Sequence, residues 1–185
     1  MHVWGSHSRE LAEGFVGPPS PRLEKLFKLK DSPASVLEVG CGTGRNTVFL
    51  SGKGFQVVVF DVALRPLRYV NADCHRMAAT ADFTLPFRDL VFDAVVDIYA
   101  FTFIGNKELY MHEVRRVLKP GGLFMVEFDG NPHILTHGQL RRTLRRSMVK
   151  GLEVLELQEI YHAWGCIHDE SKREVPALSA LLLKC

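Results

Sequence analysis

Apolar residues along this chain fall in short blocks separated by glycine, proline and charged turns. Val36, Leu37 and Val39 make an apolar run that suits a buried parallel strand. The β-branched run within Phe55 to Phe60 and the block from Phe92 to Ile98 read the same way. Leu123 to Phe128 predicts another strand, and Leu152 to Tyr161 and Pro176 to Leu183 predict two more. Between the first two strands, Arg45 to Lys53 reads as a helix, with Gly54 where a C′ glycine stops one. Gly17-Pro18-Pro19-Ser20-Pro21 opens a short helix, with Ser20 as N-cap, Pro21 at the first helical position and Leu23, Leu26 and Phe27 on its apolar face. Leu64 to Asn71 has room only for a small helix begun by Pro66. Lys119-Pro120-Gly121-Gly122 ends a helical stretch and turns the chain tightly into the Leu123 strand. Thr136-His137-Gly138-Gln139 matches a capping box. It predicts a helix to Lys150, terminated by Gly151.

The first strand ends in Glu38-Val39-Gly40-Cys41-Gly42-Thr43-Gly44, and these alternating glycines carry the strongest chemical signal. A strand, a glycine-rich turn and a helix N-terminus form a nucleotide cradle in which backbone approaches the ligand with no Cβ in the way. A dinucleotide fingerprint needs G-x-G-x-x-G. Counting from Gly40 the third position is Arg45, and counting from Gly42 it is Thr47, so neither start fits. No Gly-Lys-Ser/Thr follows, which excludes a P-loop. An acid before the turn disfavours pyrophosphate and suits a cationic ligand. S-adenosylmethionine, with a sulfonium, an ammonium and no phosphate, is such a ligand.

On these residues the chain resembles the class I S-adenosylmethionine-dependent methyltransferases, whose first motif looks like Glu38 to Gly44. Asp61 ends the second strand, where a doubly wound fold holds ribose hydroxyls. Its bland reading is a turn acid or helix N-cap. Ala81-Asp82-Phe83-Thr84-Leu85-Pro86-Phe87 resembles the family segment after the third strand. The resemblance implies that Asp82 accepts from the adenine amine and that Phe83 offers its backbone N–H to the ring. Asp73 is the rival for that contact if the third strand falls earlier. His112 to Leu118 with Lys119 to Gly122 resembles the family's approach to its fifth strand. The donor site implied is Glu38, Gly40, Cys41, Gly42, Gly44, Asp61, Val62, Asp82, Phe83 and Asp97, with Cys41 read as packing. The fold implied is α/β, a Rossmann-like three-layer sandwich with a seven-stranded, mostly parallel sheet, its last strand antiparallel and helices on both faces. Residues 1–185 are then one methyltransferase domain, with 1–34 as a helical cap over the site and no residues left for a separate substrate domain.

Methyl transfer from a sulfonium is an in-line displacement on an activated donor. Alignment alone supplies about 7–11 kcal/mol, so the sequence need not show a strong base. Tyr99, Asp129 and His133 are the candidates by their expected place at strand ends. Asp97-Ile98-Tyr99-Ala100 lacks the prolines of families that methylate amino groups of nucleobases or glutamine. Tyr99, Phe101 and Phe103 either surround the methyl donor or pack the core.

With 23 Lys+Arg against 21 Asp+Glu, net charge implies no general affinity for nucleic acid. Arg141, Arg142, Arg145, Arg146 and Lys150 nevertheless make a basic stripe on the 140–150 helix. That stripe is a solvated face, a partner contact or a phosphate track. His133 and His137 lack an evident third ligand, so no metal is expected. Cys41, Cys74, Cys166 and Cys185 show no disulfide-framework spacing, and the start of the chain lacks a signal peptide's charged and apolar regions. No apolar run is long enough to span a membrane. A cytoplasmic, S-adenosylmethionine-dependent enzyme acting on a small molecule, with S-adenosylhomocysteine as product, is the expectation. The alternatives are an RNA (tRNA or rRNA) methyltransferase and a non-catalytic S-adenosylmethionine-binding partner subunit. Oligomeric state is left open.

Overall fold

The computed structural model describes residues 18–31, 34–129, 151–164 and 173–185. Ser20 opens a 3₁₀ turn, Pro21–Leu23, by accepting the Arg22 N–H, and α1, Glu24–Leu29, follows. The chain then alternates: β1 (Ser35–Val39), α2 (Arg45–Gly52), β2 (Gln56–Asp61), α3 (Leu64–Leu67), β3 (Cys74–Ala78) and β4 (Phe92–Ile98). A second 3₁₀ turn, Phe101–Phe103, precedes α4 (Lys107–Val117), capped by Asn106. Three long strands close the fold: β5 (Leu118–Asp129), β6 (Leu152–Trp164) and β7 (Arg173–Lys184).

These strands form one sheet in the order β3-β2-β1-β4-β5-β7-β6. β1 to β5 run parallel, and β7 lies antiparallel between β5 and β6. Strand alternation separates two apolar faces. Leu37, Val39, Phe60, Val95, Phe124 and Val126 pack with Tyr110, Met111, Val114 and Val117 of α4. Val36, Val57, Val59, Ala94, Val96 and Met125 face the other way, against Leu23 of the first 3₁₀ turn and Leu26, Leu50 and Leu67 of the first three helices. That is a three-layer sandwich, as the resemblance implied. After β3 the strand order reverses and β4 returns to the far side of β1. A crevice therefore opens above the C-terminal ends of β1 and β4.

Local departures have simple causes. α3 starts at Leu64, two residues before Pro66, because a proline in the first turn lacks only an N–H that would have no helical partner. The Lys119 to Gly122 phrase lies inside β5: Leu118 already pairs with Phe92, and the register shifts before Ala94 meets Leu123. Gly121 at φ +70° and a Gly122 too close to Lys119 O for a side chain make it a bulge. β6 and β7 run past the expected strand limits because they pair with each other over nearly their whole length. The capping box 136–139, its helix to 150 with the arginine stripe, His133, His137 and residues 1–17 lie outside the described residues. Among those described, no helix is long and apolar enough to cross a membrane.

The turns after β1 and β4 meet at Gly40, where φ is +66° and an added Cβ would lie 2.4 Å from Ala100 Cβ. Gly40→Ala should lower the unfolding free energy by about 2–4 kcal/mol, combining left-handed strain with overpacking. Urea denaturation measures it. A loss under about 0.5 kcal/mol would mean that the two turns do not touch.

Candidate functional site

Three glycines at positive φ carry the chain from β1 into α2, at Gly40, Gly42 and Gly44. Gly40 N–H donates to Phe60 O (2.8 Å) and Gly44 N–H to Cys41 O (2.9 Å), so backbone bonds hold both ends of the loop. A Cβ at Gly44 would strike Val70, whereas one at Gly42 would meet nothing within 4 Å. Gly42 is thus the glycine whose missing side chain leaves open space. Cys41 is buried in the α1–α3 face, and burial pushes its thiol far above the usual range. It packs and is not a nucleophile.

Asp61, at the end of β2, tethers this loop. Its two carboxylate oxygens accept from Gly42 N–H and Ala63 N–H, both at 2.8 Å. Burial raises its pKa, and those two backbone donors oppose the rise. Beside it Val62 is 56% exposed. Ala79 N–H donates to Asp61 O (3.0 Å) and leads the chain out of β3 toward Asp82 and Phe83. Asp82 accepts from Gly105 N–H (2.7 Å) and from Thr80 Oγ1 (3.3 Å), and Phe83 is 64% exposed. Asp73 precedes Cys74 at the opposite end of β3, away from the crevice, so the earlier-strand alternative puts no acid there.

Glu38 is 1% exposed and faces α2. Its Oε2 accepts from Thr47 Oγ1 (2.5 Å), while Oε1 has no hydrogen-bond partner among the described residues. Burial pushes its pKa up to about 7, opposed by Thr47 and by the nearby Asn46 side chain. A cation beside Oε1 would restore the charged form. Asn46 Oδ1 accepts Ser20 N–H (3.0 Å), and Ser20 Oγ donates to Glu127 Oε1 (2.7 Å). Arg45 reaches Pro18 O, and Arg22 lies 3.7 Å from Glu127. Residues 18–22 are thereby strapped to α2 and to the end of β5. The Ser20 contacts with Asn46 and Glu127 escape a sequence reading because partners 26 and 107 residues apart meet only in the fold.

Asp97, which the resemblance groups with the donor-binding residues, is wholly buried and points into the α4 face. Oδ1 accepts Phe101 N–H and Oδ2 accepts Tyr110 Oη–H, both at 2.8 Å. It holds the turn after β4 rather than facing the crevice. Burial pushes it up to about 7 against the pull of Tyr110 and the loop amides. Tyr99 adopts φ +74°, its N–H donating to Glu127 O (2.7 Å), and is half-buried at the crevice. Phe101 is fully buried and packs the core, while Phe103 is 42% exposed. Asp129 ends β5, but its side chain, like all of His133, lies outside the described residues. No group of three metal-ligating side chains occurs among those described.

A Methyltransferase domain family profile matches residues 37–126. Demethylmenaquinone methyltransferase of Tropheryma whipplei is 27% identical over 154 residues, covering 81% of this chain and 64% of that protein. Probable tRNA methyltransferase 9B of Mus musculus is 26% identical over 167 residues, covering 82% of this chain and 34% of that protein. The chain therefore spans less than two thirds of the length of either. A solved S-adenosylmethionine-dependent methyltransferase from Methanosarcina mazei superposes with a TM-score of 0.67 at 16% identity, over 91% of this chain and 99% of that one.

Glu38 and Asp97 both hold their protons more tightly folded than unfolded. The stability they contribute is full below about pH 4 and lost as pH rises through about 7. Asp97→Asn removes one of the two. Between pH 4.5 and 8 its unfolding free energy should gain about 2–4 kcal/mol relative to wild type. Denaturant titrations at several pH values read this directly, and parallel profiles would refute it.

Proposed function

From the match of residues 37–126 to the Methyltransferase domain family, we propose that this is a class I S-adenosylmethionine-dependent methyltransferase, which moves a methyl group from S-adenosylmethionine to a small-molecule acceptor. The observation that carries this reading is the buried, unpartnered Glu38 Oε1 below a glycine loop whose Gly42 opens onto free space. A carboxylate desolvated to a pKa of about 7 is a site for a cation, which suits a donor carrying an ammonium. When bound, S-adenosylmethionine supplies a methyl already activated on sulfur.

The protein's own part is to bind, orient and exclude water. Glu38 takes the ammonium end. The Gly40–Gly44 backbone passes beneath the donor, and Asp61, fixed by Gly42 and Ala63 N–H, offers its remaining lone pairs to ribose hydroxyls. Val62 and Phe83 cover the base, Asp82 accepts from its amine, and the strapped segment 18–31 caps the crevice. Tyr99 sits where the acceptor approaches, held by its hydrogen bond to Glu127 O. With alignment worth about 7–11 kcal/mol, an acceptor of ordinary nucleophilicity needs no further base.

An apolar small molecule is favoured by the exposed Phe103 in the turn after β4 and by the likeness to a demethylmenaquinone methyltransferase. RNA is the second reading, favoured by the likeness to the mouse tRNA methyltransferase homologue and the basic 140–150 segment.

S-adenosylhomocysteine should raise the melting temperature with the logarithmic concentration dependence of one-site binding, and NAD should not. Asp61→Ala should weaken that binding on the order of tenfold or more. Stabilisation by NAD alone would overturn the donor reading. Gly42→Ala should unfold within about 1 kcal/mol of wild type, since only its φ is strained, yet bind the nucleoside more weakly. Unchanged affinity would show that the open space is not the donor's. Transfer of radiolabelled methyl into metabolite extracts but not into RNA would support a small acceptor, and the reverse would select RNA.

A further inference from the structure

An ion pair on α4 grips the loop that follows β3. Glu113, three residues before Arg116, is almost wholly buried although charged. Its Oε1 and Oε2 accept from Arg116 Nε (2.9 Å) and Nη2 (2.7 Å), a two-pronged pairing of guanidinium and carboxylate. Each partner also holds the backbone of the loop. Glu113 Oε2 accepts Leu85 N–H (2.8 Å), and Arg116 Nη2 donates to Leu85 O (2.8 Å). Arg116 Nη1 donates to Phe87 O (2.7 Å) and to Asp89 Oδ1 (2.8 Å). Arg116 O and Val117 O take the next amides, of Leu90 and Val91. Arg116 holds the Glu113 carboxyl below its usual range, so the pair stays ionised near neutral pH.

Six hydrogen bonds from α4 therefore fix residues 85–91. The stretch just upstream has little packing of its own: Phe83 is 64% exposed and Asp82 is exposed. Asp82 and Phe83 hang between two anchors, the Ala79 N–H bond to β2 and the Leu85 grip from α4. Besides local bonds with Thr80, the Asp82 carboxylate accepts Gly105 N–H, from the segment that leads into α4. The placement of Asp82 thus depends in part on a helix whose other face is core.

We infer that Glu113 and Arg116 are positioning residues that set how strictly the donor site reads the purine amine, acting through Leu85 on Asp82 and Phe83. This rests on the donor-site reading above. A pair that served stability alone would change all ligand affinities together. A pair that aims Asp82 changes the discrimination between bases.

The test is calorimetric titration of the full chain with S-adenosylhomocysteine and with S-inosylhomocysteine, which carries a carbonyl in place of the exocyclic amine. Wild type should prefer the adenosyl ligand by on the order of tenfold or more, the worth of a hydrogen bond to a charged acceptor. In Glu113→Gln and Arg116→Lys that ratio should fall toward one, mainly through weaker adenosyl binding. An unchanged ratio in variants that bind overturns the inference, as does a wild type that binds both ligands equally. A wild type that binds neither defeats the donor reading itself, and the inference with it. Should both variants fail to fold, hydrogen exchange on wild type decides. S-adenosylhomocysteine must then slow exchange at 113–116 together with 82–85, and protection confined to 82–85 overturns the inference.

Discussion

The site depends first on a contact with no room in it, where Gly40 meets Ala100. The turns after β1 and β4 flank the crevice, and they come this close because Gly40 puts no side chain against the Ala100 methyl. Each turn is then fixed from its own side. Asp61 pulls the glycine loop toward β2 through Gly42 N–H. Asp97 pulls the β4 turn toward α4 through Phe101 N–H, and Tyr110 holds Asp97 in turn. Two carboxylates thus fix the walls of the crevice on either side of the Gly40–Ala100 contact.

Those carboxylates are costly to bury, which is why their partners are backbone amides and neutral hydroxyls. An ionised carboxylate loses its water on burial and regains only part of that from hydrogen bonds. Asp97 has both oxygens engaged yet still sits near a pKa of about 7. Glu38, with one oxygen unpaired, reaches the same value. For Asp97 the cost maintains architecture. For Glu38 it leaves an acceptor in a dry place beside the glycine loop, and an approaching cation offsets the penalty.

Control of the crevice is spread over both helical layers. On one face, Ser20 ties the N-terminal segment to Asn46 of α2 and to Glu127 of β5, reaching around the end of β1. On the other, Glu113 and Arg116 hold the loop that carries Asp82. The two layers approach the same opening from opposite sides of one sheet, as a strand-order reversal beside β1 requires.

Much of this was legible in the chain itself. The apolar run ending in Glu38 to Gly44, the strand ending at Asp61 and the proline after α4 are local signals, because a strand, a positive-φ turn or a helix stop is dictated by its own few residues. Their order along the chain was enough to place the crevice. Local pattern could not say where an acid's side chain points. Asp61 and Asp97 each lie at or near a strand end, and only pairing register and face turned one to the loop and the other into the core. The extent of β6 and β7 was likewise invisible, since each strand persists only because the other pairs with it. Ser20 with Glu127 and Glu113 with Leu85 are separated by 107 and 28 residues. Such contacts arise from packed layers, which is why tertiary structure alone decided them.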